Sequence, residues 1–353
     1  MPKDSDHLKD PYRILIIGPA WVGDMVMAQA LFILLKRENP NCVIDVLAPA
    51  WTNPLLARMP EVSESFDMPI GHGQLRLGDR FKLGKQLQNT YQQAIVLPNS
   101  LKSALIPWIA NIPKRTGWRG EMRFGLLNDI RLLDKKRYPL MVERFLALGL
   151  PVAAKLPTDI KPKLVADESR IPDLLSKFQL DRKKSVLALC PGAEFGPAKQ
   201  WPSAHYAEVA KKKIASGWQV WIMGSEKDEP VAQSIKNELS DLEAENISIL
   251  AGKTDLSQAI DLMSVSTAVV SNDSGLMHIA AALHRPLVAV YGSTSPDFTP
   301  PLADCVSTES IAVDCGPCFQ RECPEGHLKC LNDLKPSQVL SGLEKIIVTN
   351  KNK

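Results

Sequence analysis

The 353-residue sequence has no excess of charge of one sign, because 42 lysines and arginines face 39 aspartates and glutamates and leave a net charge of +3. A protein whose main partner is nucleic acid usually carries a basic surplus, so we predict no nucleic-acid partner. The composition, with 45% hydrophobic and 23% charged residues, is that of an ordinary globular protein. The chain is long enough for two domains that each bury a core.

The sequence also lacks an unbroken apolar stretch of membrane-spanning length. The apolar stretch 14–35 is interrupted by residues that divide it into strand, loop and helix: Pro19, Gly23, Asp24 and Gln29. The first ten residues are charged and have no apolar centre, so we expect no export signal. These features predict a cytoplasmic protein in which the seven cysteines are reduced.

Two familiar binding motifs are missing as well. Gly18 and Gly23 are the only glycines in the loop after the first predicted strand, so the nicotinamide fingerprint G-x-G-x-x-G is absent. The only Asp-x-Asp pair is Asp4-Ser5-Asp6, in the polar N-terminal tail. If a diphosphate leaves during a reaction, cations and helix dipoles must stabilise it, rather than a magnesium ion held by such a pair.

Strand-like and helix-like segments alternate along both halves of the chain. This alternation predicts parallel, doubly wound α/β sheets. The pattern pauses in the Pro- and Lys-rich stretch 151–184 and then restarts, so we predict two Rossmann-like domains, residues 1–170 with the linker and residues 171–353. The strands expected are 13–18, 42–48 and 94–97 in the first half, and 185–190, 219–224, 247–250, 267–271 and 286–291 in the second.

The stretch 267–283, TAVVSNDSGLMHIAAAL, carries the clearest sign of a binding site. A strand should end near Ser271 and a helix should begin near Leu276. The Asp and Ser between them are N-cap residues, so the loop should deliver free N–H groups and a helix dipole to a phosphate. His278 follows Ser274 by one helical turn and could reach the same anion. The alternative is an ordinary capped turn.

Loops after three other strands of the second half suit a nucleotide. The loop 292–295 is small and polar, and with 272–275 it predicts a crevice at the carboxyl edge of the sheet. The loop 191–202 joins a small-residue turn to one cation, Lys199, which could neutralise a leaving diphosphate. Glu226 follows the next strand, where a carboxylate can bind two ribose hydroxyls. A solvated lysine and a plain loop carboxylate are the alternatives.

Asp24 follows the first predicted strand of the N-terminal half. This position lies at the carboxyl edge of a parallel sheet and should point into the cleft between the domains. A carboxylate there could take the proton from an attacking hydroxyl group, so Asp24 is our candidate general base. Asp is also a good helix N-cap residue, and the two roles can coexist.

Basic residues interleaved with aromatic ones mark the first half of the chain. The segment 115–120 is too rich in glycine for a helix surface, and guanidinium forks suit carboxylate or phosphate groups. A solvated face is the alternative. We predict that four of these basic residues, and an asparagine that follows the third strand, bind the acceptor molecule of a transfer reaction. They are Asn99, Lys102, Arg115, Arg119 and Arg123. The stretch 71–85 should form a mobile basic loop at the cleft.

Four cysteines cluster near the C-terminus, separated by two, four and six residues: Cys315, Cys318, Cys323 and Cys330. His327 lies within the cluster. Four thiols at these intervals could hold a structural zinc ion. The spacing is not that of a standard zinc knuckle, and the alternative is that reduced cysteines only pack.

Five stretches of the sequence resemble motifs of the lipopolysaccharide heptosyltransferases, in particular the type II enzymes. They are 18–24 (GPAWVGD), 97–100 (LPNS), 115–123 (RTGWRGEMR), 191–199 (PGAEFGPAK) and 271–278 (SNDSGLMH). The resemblance runs from residue 13 to residue 301, so it covers both predicted domains. It implies a GT-B fold, in which two Rossmann-like domains face each other across a cleft.

The resemblance also implies an activity: inverting transfer of L-glycero-D-manno-heptose from ADP-heptose to the first heptose of the lipopolysaccharide inner core. Asp24 would be the general base, with Lys199 beside it in catalysis. Donor-binding residues would be Gly192, Ala193, Glu194, Lys199, Glu226, Asp273, Ser274, Gly275 and His278. No cofactor is expected for catalysis. The enzyme is expected at the inner face of the inner membrane, in peripheral contact with it.

Three other functions are weighed from the sequence. A type I heptosyltransferase, or another transferase that uses ADP-heptose, would differ in the acceptor that it consumes. A sugar-nucleotide epimerase of similar fold would need no acceptor. A sugar-binding protein of the periplasmic kind would need an export signal.

Overall fold

Two six-stranded parallel sheets organise the protein in the computed structural model, which describes residues 11–70 and 74–351. Each sheet lies in its own compact unit. Of the described residues, the first unit contains those up to Ala20, Ala28–Tyr138 and Val142–Ile160. The second contains Trp21–Met27, Pro139–Met141 and the residues from Lys161 onward.

The first sheet has the order β3-β2-β1-β4-β5-β6. Its strands are β1 Arg13–Ile17, β2 Val43–Ala48, β3 Glu64–Asp67, β4 Gln93–Val96, β5 Lys114–Trp118 and β6 Asp129–Arg131. The helices of this half of the chain are α1 Val22–Glu38, α2 Asn53–Leu56, α3 Leu77–Gln86, α4 Leu105–Ile109 and α5 Met141–Gly149. The central strands β1, β2 and β4 are almost wholly buried, as apolar strands covered on both faces must be.

The second sheet has the order β12-β11-β10-β7-β8-β9. Its strands are β7 Val186–Cys190, β8 Gln219–Ile222, β9 Ile247–Ile249, β10 Ala268–Asn272, β11 Leu287–Val290 and β12 Val306–Glu309. The helices are α6 Ile171–Lys177, α7 Ser203–Ala215, α8 Glu229–Asn237, α9 Asp241–Ala244, α10 Leu256–Ser264, α11 Gly275–Ala282, α12 Lys329–Asn332 and α13 Pro336–Lys351. Because β7 and β10 pair at the centre, the loops after both strands emerge at one carboxyl edge.

The predicted fold class, parallel and doubly wound α/β, is confirmed, and the strands that the sequence missed lie at the sheet edges or are polar. β3 reads ESFD and β5 reads KRTGW, so neither has the apolar run that identifies a buried strand. The predicted domain boundary followed residue 170, whereas the first compact unit ends at Ile160. The first turn of α1, with Asp24, groups with the second unit.

The prediction of a loop over 71–85 was wrong for its second part, because α3 begins at Leu77. Residues 71–73 lie outside the described part of the chain. Gly84 serves close helix packing rather than a turn, since a Cβ there would lie 2.7 Å from the Cβ of Ile109 in α4. Arg80 is buried and donates hydrogen bonds to the carbonyl groups of Leu75 and Lys102 at 2.7 and 2.9 Å.

Within residues 11–70 and 74–351, no helix combines the length and the apolar character needed to cross a membrane.

Candidate functional site

The carboxyl edge of the second sheet is held together by the side chain of Asn272, the last residue of β10. Its amide nitrogen donates to the Pro191 carbonyl at 2.6 Å. Its amide oxygen accepts from the Trp201 backbone N–H at 3.2 Å and from the Tyr206 hydroxyl at 3.0 Å. The loop after β7, which contains Lys199, is thereby fixed against the loop that begins α11.

Lys199 and Asp273 form a largely buried ion pair at this edge. The Lys199 Nζ lies 2.6 Å from the Asp273 Oδ2, and Asp273 is only 4% exposed. The Thr294 hydroxyl donates to the same oxygen at 2.6 Å. The predicted crevice loops 272–275 and 292–295 therefore meet through Asp273. Thr294 was not among the predicted site residues, although its loop was singled out as small and polar.

Asp24 lies close enough to Lys199 and Asp273 for both charges to affect its pKa. Burial raises the pKa of the Asp24 carboxyl from 3.8 to about 6; the positive charge of Lys199 lowers this pKa and the negative charge of Asp273 raises it. The preceding residue packs tightly against α11, since a Cβ on Gly23 would lie 2.8 Å from the Cδ2 of His278. A carboxyl group with a pKa near neutrality is suited to accept a proton during catalysis.

The N-terminal end of α11 follows directly after Asp273, at the carboxyl edge of the sheet. Ser274 is the N-cap residue, but its side chain makes no capping bond, and its hydroxyl lies 3.3 Å from that of Ser271. The first N–H groups of a helix have no partner within the helix and lie at the positive end of its dipole. An anion can therefore bind beside Ser274 and Gly275, as the sequence predicted for a phosphate.

His278 is buried one turn further along α11, with 5% of its surface exposed. Burial lowers its pKa to about 4, against the opposing effect of the Asp273 charge. The imidazole is neutral at physiological pH. It can donate one hydrogen bond to an anion but brings no positive charge.

The other candidate donor-binding residues lie in the loops after β7 and β8. Gly192 packs against the Asp228 carboxylate, which leaves no room for a side chain at Gly192. The same carboxylate accepts a hydrogen bond from the Ser225 N–H at 2.8 Å. Ala193 is buried. Glu194 forms an exposed ion pair with Lys227 at 2.6 Å. Glu226 is exposed in the short turn directly after β8, with its carboxylate open to solvent.

Two of the candidate acceptor-binding arginines donate hydrogen bonds to backbone carbonyl groups within the first unit. Arg123 is 2% exposed and donates to the carbonyl groups of Pro98 and Trp118 and to the Ser103 hydroxyl. Arg115 donates to the carbonyl groups of Leu126 and Ile112, both at 2.6 Å. These bonds use N–H groups of both guanidinium groups for contacts within the first unit. The sequence could not distinguish such inward arginines from exposed ones.

The remaining acceptor candidates lie in the same unit with their side chains nearer to solvent. Asn99 and Arg119 are exposed, and Lys102 is half-buried. The Asn99 carbonyl accepts from the Glu121 N–H at 3.0 Å, and Gly120 approaches that carbonyl so closely that no side chain fits there. The backbone of segment 119–121 is therefore attached to the backbone at Asn99.

The cysteine cluster lies in the second unit, where all four thiols are free and line one small cavity with His327. The Cys323 pKa is lowered by backbone N–H groups of residues 325–328. In the described ranges, no group of three or more His, Cys, Asp or Glu side chains is arranged to hold a metal ion. The structural zinc ion therefore stays a prediction.

Comparisons with known proteins agree with this architecture. The family model described as glycosyltransferase family 9 (heptosyltransferase) matches residues 80–329. Lipopolysaccharide heptosyltransferase 2 of Escherichia coli (strain K12) is 48% identical, covering 95% of this chain and 99% of that protein. Lipooligosaccharide heptosyltransferase 2 of Haemophilus influenzae (strain ATCC 51907 / DSM 11121 / KW20 / Rd) is 48% identical with the same coverage of both chains. The solved structure of E. coli ADP-heptose lps heptosyltransferase II matches with a TM-score of 0.87 and 46% identity, over 96% of this chain and 99% of that one. The GT-B class of fold is thereby confirmed.

Proposed function

The chain belongs to glycosyltransferase family 9, the heptosyltransferases, and on that basis we propose that it transfers L-glycero-D-manno-heptose from ADP-heptose to the first heptose of the lipopolysaccharide inner core. The observation that carries the proposal is the cluster of Lys199, Asp273 and Thr294 at the start of α11, with Asp24 beside it. This cluster combines a base and an anion site, the two elements that displacement of a nucleoside diphosphate requires.

In the proposed reaction Asp24 acts as general base. It accepts the proton of the attacking hydroxyl group while the hydroxyl oxygen forms a bond to the anomeric carbon of the donor heptose. The bond between that carbon and the diphosphate oxygen breaks, and ADP leaves with the electron pair. Attack from the face opposite the leaving group inverts the configuration. A pKa of about 6 leaves Asp24 mostly ionised at neutral pH and still basic enough to take the proton.

We assign stabilisation of the leaving diphosphate to Lys199 and to the N–H groups at Ser274 and Gly275. A lysine ammonium and a helix N-terminus both favour developing negative charge, and neither needs a metal ion. His278 contributes a neutral hydrogen-bond donor on the same face of α11. Asp273 keeps the Lys199 ammonium in position through their 2.6 Å contact.

The nucleoside end of the donor is assigned to the loops after β7 and β8. Glu226 would accept hydrogen bonds from the two ribose hydroxyls, as an acidic residue after a strand does in related nucleotide folds. The backbone of Gly192 and Ala193, with Glu194, would line the same part of the site. The second unit is thus the proposed donor-binding unit.

The first unit is the proposed acceptor-binding unit, with direct contacts from Asn99, Lys102 and Arg119. Asn99 and Arg119 are the exposed members of the predicted set, and Lys102 is half-buried. An arginine fork matches the carboxylate and phosphate groups of an inner-core saccharide. We assign Arg115 and Arg123 to holding the backbone of this loop.

This division of roles predicts opposite results at Arg119 and Arg123. Arg119→Ala should raise the KM for the acceptor about 10-fold and leave the thermal midpoint unchanged, because the lost contact is with the ligand. Arg123→Ala should lower the free energy of unfolding by about 3 kcal/mol, because buried carbonyl groups lose their donors. Steady-state kinetics and thermal unfolding of both variants test this. If Arg123→Ala raised the KM for the acceptor as much as Arg119→Ala does and lost no stability, the assignment of different roles to the two arginines would be wrong.

We further propose that the enzyme works at the cytoplasmic face of the inner membrane, in peripheral contact with it. Helix α3 supports this proposal, because Leu77 and Phe81 are 58% and 55% exposed beside the exposed Lys82 and Lys85. The Lys85 ammonium lies 5.5 Å from the centre of the Phe81 ring. Apolar side chains flanked by lysines suit the boundary of an anionic lipid surface.

ADP release from ADP-heptose tests the proposed function directly. Two acceptors are compared, one with the first inner-core heptose and one that ends in Kdo, and a third sample contains no acceptor. Release only with the heptosylated acceptor is the expected result. Release with the Kdo-terminated acceptor instead would identify a type I activity, and a changed donor sugar without any acceptor would identify an epimerase.

A further inference from the structure

The proposed donor site is short of positive charge. The Lys199 ammonium already pairs with Asp273 at 2.6 Å, and the second carboxyl group, Asp24, lies within reach of both. Lys227, in the loop after β8, pairs with Glu194 at 2.6 Å. A leaving ADP carries more negative charge than this balance can neutralise, so a further cation near Lys199 would favour its departure.

Arg321 supplies such a cation from the cysteine-rich segment 313–331. Its guanidinium carbon lies 5.4 Å from the centre of the Phe195 ring, and the Lys199 ammonium lies 4.9 Å from the same centre. The Arg321 guanidinium and the Lys199 ammonium therefore both lie next to the Phe195 ring. The Arg321 side chain is exposed, and none of the ion pairs found in the described residues involves it.

The backbone around Arg321 is tied to both loops of the Lys199 and Asp273 cluster. The Arg321 carbonyl accepts from the Ala198 N–H at 3.0 Å, next to Lys199. The Ser293 N–H donates to the Ala198 carbonyl at 3.1 Å, and the Ser293 carbonyl accepts from the Phe319 N–H at 2.7 Å. Ser293 precedes Thr294, which binds Asp273. These bonds hold Arg321 at a defined place relative to the cluster.

Gly196 fits the same arrangement. Its φ is +154°, and a side chain there would collide with the Arg321 carbonyl. The glycine therefore permits the close approach of segment 313–331 to the Lys199 loop, which no larger residue would allow.

We propose that Arg321 is a second binding cation for the diphosphate of the donor. The role rests on the proposed function, since it presumes a nucleoside diphosphate at the Lys199 site. The Phe195 ring supports the guanidinium through its face and leaves the N–H fork free to bind two phosphate oxygens. The segment with the four cysteines thereby takes part in substrate binding through its arginine.

Binding of ADP and of adenosine to the full-length protein separates a phosphate contact from a general effect on the site. Arg321→Ala should weaken ADP binding about 10-fold, as loss of a charge-assisted fork to phosphate does, and leave adenosine binding unchanged. Arg321→Lys should recover part of the loss, because the charge remains while the fork is absent. Lys329→Ala removes an exposed cation of the same segment and should leave both affinities unchanged.

Other outcomes overturn the proposal. Unchanged ADP binding in Arg321→Ala would show that the guanidinium does not reach the diphosphate. Equal weakening of ADP and adenosine would show that Arg321 only shapes the loop. With either of these two results, the proposed function still stands without Arg321 if the wild-type protein binds ADP and transfers heptose. A folded wild-type protein that binds no ADP would overturn the proposed function and this role together.

Discussion

Asp24→Asn should reduce kcat about 1,000-fold while the affinity for ADP-heptose stays at the wild-type level or tightens slightly. The amide has the shape of the carboxylate but cannot accept the proton of the attacking hydroxyl. The substitution removes one negative charge beside Lys199, and this slightly favours binding of an anionic donor. Single-turnover rates with saturating acceptor, together with donor affinities, measure the two effects separately.

The pH dependence of the wild-type enzyme gives an independent check on Asp24. Only the ionised carboxylate acts as a base, and its pKa is raised to about 6, so kcat/KM should be level well above pH 6, fall to about half of that level near pH 6 and decrease further at lower pH. Asp24→Asn should lose this acid limb. Asp173→Asn changes an exposed carboxylate in α6 and should leave both rate and profile unchanged. Turnover of Asp24→Asn close to wild type would remove Asp24 from the mechanism.

Lys199→Met should reduce kcat/KM about 100-fold or more, because the leaving diphosphate loses a preorganised cation. It should also move the acid limb of the pH profile to higher pH. The sign follows from the charge: the Lys199 ammonium favours ionised Asp24 and lowers its pKa, so removal of the ammonium raises that pKa further. Initial rates across a pH series measure both changes on one set of samples.

Stability must be controlled in this experiment, because Lys199→Met leaves the buried Asp273 carboxylate without its ion-pair partner. Lys199→Arg retains the charge and should recover much of the rate, and Lys227→Met removes an exposed lysine and should have no effect on the profile. An acid limb that stays in place in a folded Lys199→Met variant would contradict the electrostatic coupling of Lys199 with Asp24.

Much of the fold could be predicted from the sequence, because strand and helix periodicity depends on residues close together in the chain. The apolar runs that became β1, β7, β10 and β11 identify buried parallel strands, and the small polar loops after them indicate the carboxyl edge. The same loops contained Lys199, Asp273 and Ser274. The polar strands β3 and β5 escaped detection, since they are stabilised by pairing with β2 and β4 rather than by an apolar pattern.

What only the tertiary structure decided concerns pairs of residues far apart in the sequence. Lys199 and Asp273 are separated by 74 positions, and no local pattern indicates that they form an ion pair or that Thr294 joins them. The raised pKa of Asp24 likewise depends on burial and on two charges from distant loops. Arg123 and Arg119 look alike in the sequence, yet one points inward to carbonyl groups and the other is exposed. Local sequence determines which residues reach the edge of the sheet, whereas packing of distant segments determines their partners, their burial and therefore their chemistry.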